Sequence, residues 1–105
     1  YRYGEYKKST WNLNLKQFLE FEITLNLINE MGAKVILIQA PVGQKYYESH
    51  DNNIEYDSIM NSYGEYYNFN DGFQLDDSLH FYDYHHMNQN GVELFNDSLL
   101  RLIQK

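Results

Sequence analysis

From Asn14 to Met31 apolar residues return at helical spacing: Leu15, Phe18, Leu19, Leu25 and Ile28, with Phe21, Ile23 and Leu27 widening the stripe. Asn12 or Asn14 is placed to cap the start, where a side-chain oxygen accepts an orphan main-chain N–H, and Gly32 supplies a left-handed stop. The helical period then gives way to a continuous β-branched and leucine run, Lys34 to Gln39 (KVILIQ). Such a run reads as a parallel strand buried on both faces. Pro41, which cannot donate to a ladder, and Gly43 close it.

Residues 44–64 are mixed, with a short helix predicted around Asn53 to Tyr63 that carries Ile54, Ile59 and Met60 and stops at Gly64. A second strand, Tyr66 to Phe69, follows, then an Asn70-Asp71-Gly72 turn and a loop to Asn88. The final segment, Asn88 to Gln104, puts Val92, Phe95, Leu99, Leu102 and Ile103 on one helix face behind an Asn88 cap. Helix, strand, helix, strand, loop, helix is an α/β order, and a helical crossover between the two strands predicts that they pair as parallel neighbours. Residues 1–12 are polar and aperiodic and read as a loop or frayed segment, which leaves 13–105 to form the fold. Two parallel strands with three helices bury only a thin core, because an open sheet of this kind wants helices on both faces. The chain therefore reads as part of a domain, with an unprotected edge beside Lys34 to Gln39 that a second copy could pair with as a homodimer. It opens on Tyr1 rather than Met, which leaves room upstream for a leader, an anchor or a preceding half-domain.

Charge narrows the partners. Fifteen acidic against eight basic residues give a net charge of −7, which repels a phosphate backbone and an anionic membrane surface, so nucleic acid is not an expected partner. The longest apolar run, Val35 to Ile38, is far short of the ~20 residues of a membrane span. The absence of cysteine removes thiol nucleophiles, disulfides and Cys-type zinc sites. Eleven Tyr, in a chain that is 17% aromatic, admit two uses: half-buried packing with the hydroxyl at the surface, or a stacking surface in which Tyr46-Tyr47 and Tyr63 to Tyr67 grip a glycan or a protein. Asp71, Asp76 and Asp77 lack the alternating ligands of a calcium loop and read as a solvated loop.

The densest chemistry lies in HFYDYHHMNQNG, His80 to Gly91, between the second strand and the final helix. Asp83 and His86 are three apart, so a turn brings the carboxylate to the imidazole Nδ1, fixing the tautomer and stabilising the imidazolium formed when Nε2 takes a proton. An Asp–His pair is two thirds of a nucleophilic triad. The competing possibilities are a structural turn in which Asp83 accepts main-chain N–H groups, and His85 as the base in place of His86. His80, Asp83, His85 and His86 also offer metal ligands, although their spacing matches no common zinc pattern.

The stretch Phe81, Tyr82, Asp83, His86, Asn88, Gly91 and Phe95 resembles the last sequence block of the SGNH or GDSL hydrolases, D-x-x-H before the C-terminal helix. It is especially similar to a bacterial branch containing cell-envelope acyl-transfer proteins. In that family the helix before KVILIQ and Pro41 after it correspond to the penultimate helix and strand, and Tyr66 to Phe69 to the last strand. The resemblance implies an α/β fold, a three-layer α/β/α sandwich with a parallel sheet of SGNH or flavodoxin-like type, of which this chain holds the C-terminal part. It implies a serine esterase or acyltransferase acting on ester-linked acyl groups, with acetyl on carbohydrate the leading substrate, and no metal or organic cofactor. His86 is then the general base and Asp83 its orienting partner, while Asn88 and Gly91 start the last helix. An extracytoplasmic or cell-envelope location follows from the resemblance alone. The departure is that the Gly-Asp-Ser block and the Gly and Asn blocks of the oxyanion hole are absent. None of Ser9, Ser49, Ser58, Ser62, Ser78 or Ser98 follows a buried strand in a nucleophile-like turn, so these 105 residues are expected to be inert alone. The alternative is a non-catalytic glycan- or protein-binding module on a hydrolase-like fold.

Overall fold

A computed structural model describes residues 8–72 and 75–104. The elements are α1 (Leu15–Glu30), β1 (Leu37–Gln39), α2 (Gln44–Glu48), α3 (Asn53–Tyr63), β2 (Tyr66–Asn68), α4 (Asp77–His80) and α5 (Gln89–Ile103). Asn14 caps α1, its side chain accepting from Gln17 N at 3.2 Å, and Gly32 ends the helix turn with φ +79°. The strands pair in parallel with Leu37 opposite Tyr66, Ile38 opposite Tyr67 and Gln39 opposite Asn68, the adjacency expected from the crossover.

The ladder is shorter than the sequence suggested: three residues of Lys34 to Gln39 and three of Tyr66 to Phe69 are strand. Its first rung is Leu37 N–H to Glu65 O at 2.8 Å. Upstream of Glu65 the chain is still leaving α3 through Gly64, φ +151°, so Lys34 to Ile36 have no strand to meet. Burial on both faces is not reached either. Leu37 is buried, while Val35, Ile36 and Ile38 are half-buried, because only two strands share the load.

Leu25, Leu37 and Met60 form the core, with Phe18, Phe21, Val35, Tyr56, Tyr63 and Tyr66 packed around it, so α1 and α3 close on the sheet together. Tyr63 meets Phe18 and Phe21 at ring-centroid distances of 6.4 and 5.4 Å. The inward stripe of α1 is narrower than the periodicity implied. Phe18, Phe21, Leu25 and Ile28 face in, but Leu15, Leu19, Ile23 and Leu27 stay 51–73% exposed, since a two-stranded sheet cannot cover a wider face. On α3 Tyr56 and Met60 turn inward while Ile54 is exposed, and on α5 Ile103 is exposed while Val92, Phe95, Leu99 and Leu102 are half-buried.

Two short helices interrupt segments that read as irregular. The Asp77 carboxylate accepts from Gln44 N at 2.6 Å and Lys45 N at 3.2 Å, satisfying the open N-terminus of α2. Asp76 caps α4 through Ser78 N at 2.8 Å and Leu79 N at 3.1 Å. These two acids thus cap helices, Asp76 while staying exposed, and only Asp71 of that group is left without such a role. At the N-terminal end, Ser9 bridges His50 in parallel, and Trp11 donates from N to Asn52 Oδ1 at 2.8 Å and from Nε1 to Asn53 Oδ1 at 2.6 Å. Residues 9–11 are fastened to the α2–α3 junction in this way; residues 1–7 of the predicted N-terminal loop lie outside the described residues.

Candidate active site

The loop between α4 and α5 folds back on itself. Phe81 and Met87 form an antiparallel bridge, with Tyr82 N–H donating to His86 O at 2.8 Å and Asn88 N–H to His80 O at 2.9 Å. Phe81, 3% exposed, anchors this bridge in the interior and leaves Asp83 to His86 as the turn at its tip. Behind it Asn88 works in two directions. Its Oδ1 accepts from Gly91 N at 3.0 Å to cap α5, and its Nδ2 donates to Leu79 O at 2.8 Å. Gly91 is required at its position, because a β-carbon there would overlap the His80 carbonyl oxygen. The tip is fixed from the front as well, Gly43 N–H donating to Tyr84 O at 2.7 Å. Gly43 belongs to the segment leaving the carboxyl end of β1, the end at which open parallel sheets place their sites.

Within the tip Asp83 and His86 are brought together. His86 Nδ1 lies 2.8 Å from Asp83 Oδ2 and 3.0 Å from Oδ1, while Oδ1 also accepts the main-chain N–H of His85 at 3.0 Å and of His86 at 2.8 Å. The structural turn and the dyad, set against each other by the sequence, are the same object. The His85 main-chain N–H, the His86 ring and the His86 main-chain N–H together hold the Asp83 carboxyl down at about 2. An ionised Asp83 fixes the proton of neutral His86 on Nδ1 and leaves the Nε2 lone pair outward. The His86 side chain is 61% exposed, and Nε2 has no hydrogen-bond partner among the described residues.

His85 and His80 take other positions. His85 Nδ1 stands 3.6 Å from Asp83 Oδ1, beyond hydrogen-bond reach, with its ring against that of His86 at a centroid distance of 3.8 Å. His80 turns into its own helix, where Asp76 N–H donates to its Nδ1 at 2.7 Å. Three of the four candidate ligands therefore cluster, Asp83, His85 and His86, and His80 does not join them. The sequence pair Ser49-His50 is adjacent in space, with Oγ 3.4 Å from Nδ1. Both groups are nonetheless committed to Tyr46 O, at 2.5 and 2.9 Å, and His50 is buried under Trp11, so the pair is not a nucleophile and its base.

The described tyrosines serve different neighbours. Tyr46 packs on His50 and Tyr84, Tyr63 on α1, and Tyr66 donates to Asp57 Oδ1 at 2.8 Å. Burial, reinforced by Asp57, raises the Tyr66 hydroxyl far above the ordinary phenol range. A cleft of about 630 Å³ lies between α3, β2 and α5 and is lined by Asp57, Asn61, Tyr67, Asp71 and Arg101 among others. No residue of the 82–86 tip lines it, so the Asp83–His86 loop and this cleft are separate places.

Sequence patterns missed Asn70. It is 5% exposed, with Oδ1 accepting from Val42 N at 2.8 Å and Nδ2 donating to Ala40 O at 3.1 Å. It welds the exits of the two strands and so holds the segment that carries Gly43. An Asn-Asp-Gly run signals only a turn, and nothing local distinguishes an inward amide from an outward one.

Among the described residues no helix is long and apolar enough to cross a membrane. Comparison with family models, curated proteins and solved structures yields no match to this chain.

Proposed function

We propose that Asp83 and His86 are the acid–base half of an SGNH-type acyl-transfer site, in a three-layer α/β/α sandwich of which these 105 residues form the C-terminal part. The observation that carries this is the 2.8 Å contact between Asp83 Oδ2 and His86 Nδ1, with Nε2 directed away from it and accessible. A serine supplied by sequence outside these residues gives its proton to His86 Nε2 as Oγ bonds to the ester carbonyl carbon. The tetrahedral intermediate then collapses, the C–O bond to the alcohol breaks, and the imidazolium returns the proton to the departing oxygen. Asp83 stabilises that imidazolium without taking its proton. Water, or a sugar hydroxyl, releases the acyl group by the same steps in reverse.

The substrate class we favour is an acyl ester of a carbohydrate, at an extracytoplasmic or cell-envelope location, and both follow from the resemblance of the Asp83 to Phe95 stretch. The free edge of the two-stranded sheet is the place for the remaining strands or for a second copy. The test is hydrolysis of a short-chain acyl ester by these 105 residues and by a longer protein that includes upstream sequence, each with and without His86→Ala. Activity confined to the longer protein and lost with His86→Ala supports the proposal. Inactivity of both on acyl esters, or activity indifferent to His86, overturns it in favour of a binding module.

A further inference from the structure

We infer that Asp83, His85 and His86 bind a borderline divalent cation, Zn²⁺ above all, at the tip of the α4–α5 loop. Each residue offers one donor atom, and the three lie within 4.8 Å of one another. Tetrahedral zinc with bonds of about 2.0–2.1 Å separates its donors by about 3.4 Å. His85 Nδ1 already stands 3.6 Å from Asp83 Oδ1, at 3.8 Å between ring centroids from His86, so its placement fits coordination better than hydrogen bonding. His86 Nδ1, at 3.0 Å from the same Oδ1, has to draw back by roughly 0.4 Å, a small movement for a side chain that is 61% exposed.

The donor set selects the metal. Two imidazoles and one carboxylate suit zinc, copper or nickel and give magnesium or calcium too few oxygens. The carboxylate is held for the purpose by the main-chain N–H groups of His85 and His86, the kind of outer contact that orients a ligating group. The His85 ring has no polar contact among the described residues apart from this approach to Asp83. Adjacent histidines reach one carboxylate because the Phe81–Met87 bridge closes the loop and Asp83 turns it. Three protein donors leave a fourth position to solvent. A net charge of −7 also favours a cation.

Occupancy and general-base work exclude each other at His86. Coordination through Nδ1 needs the lone pair at the position its proton occupies, so the ring's one proton moves to Nε2 and the hydrogen bond to Asp83 is lost. With a proton on Nε2 the ring can no longer accept one from a serine. This consequence rests on the acyl-transfer proposal above; the metal affinity does not.

The experiment is a calorimetric and ¹⁵N NMR titration of the 105-residue chain with Zn²⁺ alone, in a non-chelating buffer, with Ca²⁺ as the contrast. One equivalent should bind saturably, shifting the ring nitrogens of His85 and His86 and leaving those of His50 and His80 in place. His85→Ala and Asp83→Asn, each checked for an unchanged amide spectrum elsewhere, should weaken binding ~10-fold or more, and Ca²⁺ should not saturate. No saturable binding by the unaltered chain, full affinity in His85→Ala, or equal weakening by His80→Ala overturns the inference. In a longer, esterase-active protein Zn²⁺ should inhibit and a chelator restore activity. Zinc binding by a longer protein that has no esterase activity even when metal-free sinks the acyl-transfer proposal alone, and esterase activity in a longer protein that does not bind zinc sinks this inference alone.

Discussion

Asp83 holds His86 at two points: one carboxylate oxygen accepts the His86 main-chain N–H at 2.8 Å, and the other lies 2.8 Å from Nδ1 of the ring. The two contacts separate under substitution. In Asp83→Asn the amide oxygen continues to accept the main-chain N–H groups, while the amide nitrogen takes the place of Oδ2 and donates to Nδ1. The ring is then forced into the Nε2–H tautomer, which has no outward lone pair. The ¹⁵N shifts of His86 should exchange between Nδ1 and Nε2 with little change in loop amides. In an esterase-active longer protein kcat should fall by about 10²–10⁴-fold. An unchanged tautomer would show that Asp83 does not set it.

The same carboxylate gives a pH signature. Hydrogen bonds from the His85 main chain and the His86 ring hold Asp83 at about 2, below the ~3.9 of an unfolded aspartate. A depressed folded value means that its stabilising contribution is complete above the unfolded value and is lost as pH falls from about 4 toward 2. The carboxyl ¹³C shift of Asp83 should therefore titrate near 2, and the loop amides of His85 and His86 should loosen in the same window. A midpoint near 3.9 would mean that these hydrogen bonds do not persist in solution.

What the chain reveals from its letters is divided by range. Asn14, Gly32 and Asn88 act on main-chain groups a few residues away, and Gly64 turns the chain at positive φ, so the limits of α1, α3 and α5 were legible within a residue. The Asp83–His86 contact was legible for the same reason, since three residues and a turn suffice to make it. Strand length was not, because how far Lys34 to Gln39 pairs depends on where Gly64 releases its partner. The α2 cap was hidden too: Asp77 acts on Gln44 across thirty-three positions. Leu15, Leu19, Ile23 and Leu27 show the limit of periodicity, which identifies an apolar face but not whether anything covers it.

Gly91 offers a sign reversal. At an ordinary helical position Gly→Ala stabilises by about 0.5–1 kcal/mol through the backbone entropy of the unfolded chain. At Gly91 the added carbon meets the His80 carbonyl oxygen, which Asn88 N–H and the loop hold in place. Gly91→Ala should thus destabilise by about 1–3 kcal/mol, the range of overpacked sites. Asn96→Ala, exposed on the same helix, should instead be neutral or gain a few tenths of a kcal/mol. Urea denaturation of both variants decides it, and a gain at Gly91 would contradict the close approach of α5 to His80.

Asn70 connects the sheet to the site through four hydrogen bonds. Its Nδ2 reaches Ala40 O and Asn68 Oδ1, both at 3.1 Å, its Oδ1 accepts Val42 N–H at 2.8 Å, and its own N–H donates to Asn68 Oδ1 at 2.9 Å. Asn70→Ala strands the Val42 donor and the Ala40 acceptor beside a position that is 5% exposed, which costs about 1–3 kcal/mol for each group left unpaired. Thermal denaturation should register the loss. Hydrogen exchange should speed first at Val42 and Gly43, and through the Gly43 N–H to Tyr84 O bond the Asp83–His86 tip should follow. Asn70→Asp is the sharper probe, because it keeps the acceptor for Val42 but turns an anionic oxygen toward the Ala40 carbonyl. Burial and that repulsion raise its carboxyl above the unfolded value, so its stability relative to the unaltered chain should worsen as pH rises through 4 and recover on acidification. An Asn70→Asp variant as stable at neutral pH as the parent would show that Asn70 does not donate to Ala40.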